Sequence, residues 1–366
     1  MLAAAPPLPF WSIAAPVAGW LLLAGTWAGW GGAYLLLVVL GLVTCVMAAV
    51  HHAEVVAHRV GEPYGTLVLA IAITVIEVAL IVSLMLAGGE GNAGEATATL
   101  ARDTVFAAVM IILNGIVGAC LLVGGGRHRE QAFGLLGVSA SLATLAAIAV
   151  LTLVLPNYTT TVPGPVYSPS QLGFIAIISL VLYFTFVLVQ AVRHRDYFLP
   201  CDEPGDEETH AAPPSLHATW TSAALLCVAL AAVVLLAKSL APSVERAVAA
   251  LGAPKALVGI IIAAVVLLPE GTAAIRAALA NRLQTSLNLA LGSALASIGL
   301  TIPAVAIVSL ATGWTLSLGL DAKSSVLLVL SLFVASLSLG TGRTTVLQGT
   351  VHLVIFAVYL FTTIVP

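Results

Sequence analysis

Eleven separate stretches of the chain are each apolar enough and long enough to cross a lipid bilayer as a helix. A transmembrane helix needs about 20 consecutive apolar residues. The strands of a membrane barrel would instead alternate polar and apolar residues, a pattern that the chain lacks. The stretches therefore predict an all-α integral membrane protein of eleven transmembrane helices. They cover approximately residues 12–29, 33–53, 66–88, 104–124, 132–155, 172–192, 218–237, 256–275, 286–312, 324–340 and 344–365.

The composition excludes several other classes of protein. Of the 366 residues, 60% are hydrophobic and 8% are charged, whereas soluble domains carry about 25% charged residues. The formal net charge of −3 comes without a basic patch, so no nucleic-acid partner is expected. No H-E-x-x-H or G-x-S-x-G motif and no clustered catalytic carboxylates occur, so the chain is not predicted to be an enzyme, and no resident cofactor is expected.

The distribution of Lys and Arg predicts the orientation, because these residues are enriched in cytoplasmic loops. With eleven spans, one face receives eight of them and the other face receives five. We therefore expect the N-terminus and the loop 193–217 to be cytoplasmic and the C-terminus to lie outside. The first set is Arg59, Arg127, Arg129, Arg193, Arg195, Arg276, Arg282 and Arg343, and the second is Arg102, Lys238, Arg246, Lys255 and Lys323.

The loop 193–217 differs in composition from the rest of the chain, because it combines six acidic residues with several prolines. A solvated linker between two halves is one interpretation. A regulatory segment that senses cations is the other, and the sequence leaves both open.

The two halves of the chain resemble each other. The motif Glu-x6-Gly-x-Pro occurs at Glu54–Pro63 and again at Glu245–Pro254, and a mid-span glutamate follows each copy, Glu77 after fourteen residues and Glu270 after sixteen. Each half then holds five spans, and because five is odd, the second half enters the membrane inverted. Inverted repeats with a site near the midplane are a common transporter architecture. The predicted organisation is an extra helix (1–32), a first five-helix repeat (33–192), the acidic linker (193–217) and a second five-helix repeat (218–366).

Glu77 and Glu270 are the charged residues that the predicted spans place in mid-membrane, whereas the other 27 charged residues lie in loops or at helix ends. A charge at a helix centre costs about 2.5–3.5 kcal/mol on insertion scales. An ion or proton site explains this cost better than two protonated glutamates bonded to backbone. Pro269 and Gly271 flank Glu270 and predict a broken helix whose carbonyl oxygens could help to bind a cation.

Further oxygen ligands would be needed, because Ca²⁺ takes about 6–8 of them. Thr74 lies one turn before Glu77, and Asn114, Ser293 and Ser297 lie on neighbouring spans. Close packing of small residues is an equally good interpretation for Ser293 and Ser297.

A second group of titratable residues lies at the end of the second span. His51, Glu54 and His58 share one helical face and, with Glu245 in the other half, are candidates for a proton path or for regulation. A simple interfacial helix end explains them as well. His352, in the last span, is expected to be a bonded structural histidine.

Four strings of the sequence resemble the calcium/proton exchanger family, in particular its bacterial calcium–sodium/potassium–proton antiporter branch. They are His51–Gly65, Thr74–Leu80, Leu268–Gly271 and Asn281–Ser293. The resemblance covers nearly the whole chain. It implies that Glu77 and Glu270 bind the cation and exchange it for protons in the inner membrane.

The chain departs from the family in one respect. Most members carry Gly-Asn-Ala before each glutamate, whereas this chain has residues 73–75 (Ile-Thr-Val) and 266–268 (Val-Leu-Leu) at those positions. An asparagine oxygen is therefore missing from each half, which bears on ion selectivity.

The function expected from these residues is export of calcium in exchange for protons by alternating access. Sodium and potassium are further candidate cations, and the lipid bilayer is the surrounding partner. A sodium/calcium exchanger and a cation channel are the alternatives, and a homo-oligomer is also open.

Overall fold

The computed structural model describes residues 8–61, 71–72, 74–82, 94–199, 214–254 and 256–365. Nine of the helices in this part of the chain are long and apolar enough to cross a membrane, and a tenth, Ala322–Ser338, has 17 residues. The described residues of the third predicted span are helical. The prediction of an all-α integral membrane protein is confirmed.

The described helices follow the predicted spans in order. They are α1 (Phe10–Trp27), α2 (Tyr34–Val60), α3 (residues 71–72 and 74–82), α4 (Gly94–Met110), α5 (Val117–His128), α6 (Leu135–Ala149), α7 (Pro169–Leu188), α8 (Leu216–Ala250), α9 (Ala256–Leu279), α10 (Leu283–Thr312), α11 (Ala322–Ser338) and α12 (Val346–Ile364). Turns of π-helix extend α4, α6 and α7 at Ile111–Ile116, Val150–Val154 and Val189–Arg193, 3₁₀ turns lie at Leu155–Tyr158 and Arg195–Tyr197, and the strands are β1 (Gln131–Ala132) and β2 (Arg343–Thr344).

Two expectations about helix continuity were wrong. The helix α9 is not broken at Glu270, because it runs through Pro269 without interruption. The helix α8 continues to Ala250, past the predicted end at residue 237, with Pro242 in its interior. A proline removes one backbone donor, and in membrane helices neighbouring groups or water satisfy the freed carbonyl, so the helix continues.

The contacts divide the chain into two compact units, and each unit draws on both sequence halves. The first comprises Met1–Ala87 with Asp202–Ala250, and the second comprises Gly88–Cys201 with Leu251–Pro366. Residues 200–213, with five of the six acids of the predicted linker, lie outside the described residues.

In the first unit, His52 connects three helices. Its ring is fully buried, with Nε2 2.9 Å from the carbonyl oxygen of Ser12 in α1 and Nδ1 3.3 Å from the hydroxyl of Ser222 in α8. The end of α2 also meets the start of α8 where Arg59 donates to the carbonyl of Pro214 at 3.1 Å. The helices α2 and α8, the first helices of the two predicted repeats, therefore run antiparallel.

The repeated Glu-x6-Gly-x-Pro motif ends both of these helices in a similar way. Gly61 follows α2 with a φ of 74°, and Gly252 follows α8 with a φ of 66°. Glycine adopts these positive φ values without the strain that a Cβ atom adds. The motif is therefore a helix-termination signal in both halves.

In the second unit, loop contacts define two ends. At one end, β1 pairs with β2 in antiparallel register, so the loops before α6 and α12 lie together. At the other end, the Ser317 amide donates to the carbonyl of Ala98 and the Leu320 amide to that of Leu153. Consequently α4 runs antiparallel to α10, and α6 runs antiparallel to α11.

Glycines allow α5 and α12 to pack closely. A Cβ atom at Gly349 would clash with the backbone nitrogen of Leu122, and one at Gly118 would lie 2.9 Å from the Cβ atom of His352. Small residues at such crossings let backbones approach, which is a main source of helix association in a bilayer.

We expect Gly118→Val to lower the free energy of unfolding by about 1–3 kcal/mol, because the added atoms overpack the α5–α12 interface. Unfolding in detergent, followed by heat or denaturant, measures the change. Gly126→Val on the same helix is the matched control, since no neighbouring atom lies within 4 Å of its added Cβ. Equal losses in both variants would contradict the close approach.

Candidate cation site

Glu270 lies in the middle of α9 and is 6% exposed, with both carboxylate oxygens shielded from solvent. Pro269, directly before it, cannot donate the backbone hydrogen bond that the Val265 carbonyl would otherwise accept. The next residue, Gly271, faces Ile116, whose side chain lies 3.2 Å from the position of an added Cβ atom. This turn of α9 thus packs against the π-helical segment Ile111–Ile116.

Glu77 lies in α3 and is 3% exposed, and Thr74, three residues earlier, is also buried. Residues three apart on a helix share a face. The helix therefore presents a carboxylate and a hydroxyl on successive turns, as the sequence predicted. Both residues belong to the first compact unit, whereas Glu270 belongs to the second.

Asn114 lies at the centre of the π-helical segment and is fully buried. Such segments are rare and often mark functional sites. Its side-chain nitrogen donates to the hydroxyl of Ser331 at 2.8 Å, and its oxygen lies 3.2 Å from Nδ1 of His352. The prediction that His352 is a bonded histidine is confirmed, since its Nε2 also lies 2.8 Å from the hydroxyl of Ser338.

Ser293 and Ser297 lie one turn apart on α10. Ser297 is buried, and the hydroxyl oxygen of Ser293 is shielded from solvent. Among the residues that the structure describes, the Ser293 hydroxyl has no hydrogen-bond partner.

The second unit thus collects four of the six predicted cation-binding residues. The helices α9 and α10 and the π-helical segment pack against one another. Glu270, Asn114, Ser293 and Ser297 are carried by these three elements. A buried carboxylate on one element, with amide and hydroxyl oxygens on the elements packed against it, is a donor set suited to a hard cation.

The second group of predicted residues lies on the first unit. On α2, Glu54 and His58 are exposed, whereas His51 is half-buried and its ring lies 5.2 Å from that of Trp11. Glu245 is exposed on α8. Because α2 and α8 are antiparallel, Glu54 and Glu245 lie near opposite ends of this helix pair.

Sequence reasoning missed three residues that organise these regions. His52 was overlooked because it lies off the face shared by His51, Glu54 and His58, although a histidine inside an apolar helix is itself a signal of a polar partner. Ser331 and Ser338 gave no signal, because serines are common in apolar helices.

Comparison with known proteins decides the family. Residues 30–192 and 221–365 match the family model described as sodium/calcium exchanger protein. The chain belongs to this family of transporters. The match leaves out residues 1–29, which contain α1, and residues 193–220, which contain the acidic linker.

Individual relatives agree with this assignment. The chain is 52% identical to an ionic transporter of Sinorhizobium fredii, y4hA, over 98% of this chain and 97% of the relative. It is 38% identical to the sodium-potassium/proton antiporter ChaA of Escherichia coli, over 89% and 87% of the two chains. The fold resembles the crystal structure of the Ca²⁺/H⁺ antiporter protein YfkE, with a TM-score of 0.70 at 17% identity over 98% and 100% of the chains.

We expect Ser293→Ala to raise the apparent dissociation constant for the cation by about three- to tenfold without lowering stability, because among the described residues the hydroxyl has no hydrogen-bond partner to lose. Cation-dependent thermal stabilisation of the purified protein measures both quantities. Ser141→Ala is the control for stability, because it removes a buried hydroxyl that does have a partner: the Ser141 hydroxyl donates to the carbonyl of Gly137 at 2.9 Å. If Ser293→Ala leaves the cation affinity unchanged, the close-packing interpretation holds instead.

Proposed function

We propose that the protein exports a cation, with calcium as the first candidate, in exchange for protons, and that Glu77 and Glu270 alternately bind the cation and the protons. One observation carries the proposal: among the described residues, these two are the buried acidic side chains. Carboxylates at membrane depth are costly and typical of ion and proton pathways.

The exchange follows from competition for the same oxygens. Burial at membrane depth removes the hydration of a carboxylate, so a buried glutamate favours its protonated form when no cation is present. A divalent cation reverses this preference and displaces the protons. The cation-loaded and proton-loaded sites are both near neutral and can cross, whereas an empty charged site crosses poorly. This competition is sufficient to couple cation transport to proton transport.

Antiparallel helix pairs support the inverted repeat on which alternating access depends. The pairs α2 with α8, α4 with α10 and α6 with α11 each join equivalent spans of the two predicted halves, and each pair runs in opposite directions. An inverted repeat requires that equivalent spans run in opposite directions. With such a repeat, rocking of one half against the other can expose a central site to each side of the membrane in turn.

The names of the relatives differ in the cation that they state. ChaA is named for sodium and potassium, and YfkE for calcium. Two carboxylates together match the charge of one divalent ion, which favours calcium, and sodium or potassium remains the alternative. A sodium/calcium exchanger would favour additional polar groups on the central helices, and a channel would need a continuous polar path.

We propose that the β1–β2 end of the second unit is cytoplasmic, in the inner membrane of a bacterium. Among the described residues of this unit, seven Lys and Arg residues lie toward that end and two toward the other, which supports this orientation. The first group is Arg127, Arg129, Arg193, Arg195, Arg276, Arg282 and Arg343, and the second is Arg102 and Lys323.

We expect Glu77→Gln and Glu270→Gln, made separately, each to abolish proton-coupled cation flux while the protein still inserts. Glutamine keeps the size and one oxygen but neither neutralises the cation nor titrates. The measurement is uptake of calcium, sodium and potassium into everted vesicles driven by an imposed pH gradient. Glu130→Gln, at an exposed position between two predicted spans, is the control and should retain flux. Near-normal exchange in either central variant would make that glutamate structural.

The orientation has its own test. In a Cys227→Ser background, which removes the exposed cysteine of α8, a membrane-impermeant maleimide should label Cys201 in inside-out vesicles and not in intact spheroplasts. Cys45 and Cys120 are buried and should stay unlabelled. Labelling of Cys201 in spheroplasts would place the loop outside.

A further inference from the structure

A chain of hydrogen-bonded side chains crosses the apolar interior of the second unit beside Asn114. It joins Ser338, His352, Asn114 and Ser331 from α11, α12 and the π-helical segment. Three of these residues, His352, Asn114 and Ser331, are fully buried. Polar side chains at such depth in a membrane protein require mutual partners.

The direction of each hydrogen bond follows from the distances. The Ser331 hydroxyl lies 2.7 Å from the carbonyl oxygen of Leu327 and 3.4 Å from the sulfur of Met110. Its single proton therefore goes to the carbonyl, the stronger and closer acceptor. The hydroxyl oxygen must then accept from Asn114, which fixes the NH₂ group on the Ser331 side of the amide.

The orientation of the Asn114 amide determines the remaining hydrogen bonds of this network. The Asn114 oxygen faces Nδ1 of His352 at 3.2 Å, and since a carbonyl oxygen only accepts, Nδ1 must carry the proton. In the neutral ring, Nε2 is then an acceptor, and the Ser338 hydroxyl donates to it at 2.8 Å. In a flipped amide, the Asn114 oxygen would instead face the Ser331 hydroxyl oxygen, whose proton is already donated to Leu327.

The amide of Asn114 is thus held at both ends by partners on different helices. A carbonyl oxygen has two lone pairs, of which His352 engages one. Gly118, one turn after Asn114, packs against the Cβ atom of His352, so the ring has little freedom to move. Two residues after Asn114, Ile116 of the same π-helical segment contacts Gly271, the residue that follows Glu270.

We propose that His352 is a positioning residue: its Nδ1–H holds the Asn114 amide in one orientation and leaves the second lone pair of the Asn114 oxygen for the transported cation. The inference rests on the proposed function, in which Asn114 is a cation ligand. A buried histidine that merely fills space would contribute to stability without affecting the cation.

Two substitutions separate these roles. In His352→Asn, the side-chain nitrogen occupies nearly the position of Nδ1, so the donor to Asn114 is kept and the contact with Ser338 is lost. In His352→Gln, the terminal amide reaches toward the position of Nε2, so the contact with Ser338 is kept and the donor to Asn114 is lost. Both variants lose the imidazole ring of His352, so the loss of the ring itself is common to them.

We expect His352→Gln to raise the dissociation constant for calcium by about five- to tenfold, the range for loss of one orienting hydrogen bond. His352→Asn should stay within about twofold of the unchanged protein. The readout is the calcium-dependent rise in the melting temperature of the purified full chain, repeated as pH-driven calcium uptake in vesicles. Equal losses of affinity in both variants would overturn the proposal.

The Asn114→Ala background provides the second test. If His352 acts through Asn114, His352→Gln should have no further effect on the dissociation constant in that background. Additive effects would overturn the proposal. If Asn114→Ala raises the dissociation constant and His352→Gln alone does not, only this inference fails. If Asn114→Ala alone has no effect while Glu270→Gln abolishes binding, the ligand role of Asn114 fails and this inference fails with it.

If a His352 variant does not fold, a substitution at Ser331 tests the same proposal. Ser331→Ala removes the other anchor of the amide and leaves His352 in place. We expect the same rise in the dissociation constant, absent in the Asn114→Ala background. No rise in Ser331→Ala would contradict the clamped amide.

Discussion

In a bilayer no water reaches the hydrocarbon region, so every polar group placed there must find its partner within the protein. This constraint fixes the backbone as helices and makes each buried polar side chain costly. The chain follows it closely, because the described helices are long and apolar and carry few charged residues. Glu77 and Glu270, the buried acidic side chains among the described residues, are therefore the residues from which a function can be argued.

Helix association under the same constraint depends on close packing and a small number of internal hydrogen bonds. In the first unit, His52 connects α2 to α1 and α8. In the second unit, glycines bring α5 and α12 together, and that approach places His352 against Asn114. The packing of small residues thus has a chemical consequence, because it places a hydrogen-bonding ring against the amide of Asn114, one of the predicted cation ligands.

The two structural units and the two sequence halves divide the chain differently. The first unit takes α2 from one half and α8 from the other, and these helices run antiparallel. A symmetric transporter needs equivalent helices of its two repeats to come together in this way. The repeated motif ends both α2 and α8, and the positive φ angles of Gly61 and Gly252 give its structural basis.

The sequence by itself determined the membrane class, the order of the helices, the two buried glutamates and the family, because apolar length and isolated intramembrane charges are local properties of the chain. It did not determine that α9 continues through Pro269, because neighbouring groups decide whether a proline breaks a membrane helix. It also did not reveal the partners of Asn114. Ser331 and His352 lie 217 and 238 residues away along the chain, and only the packing of α11 and α12 against the π-helical segment brings them within hydrogen-bond distance.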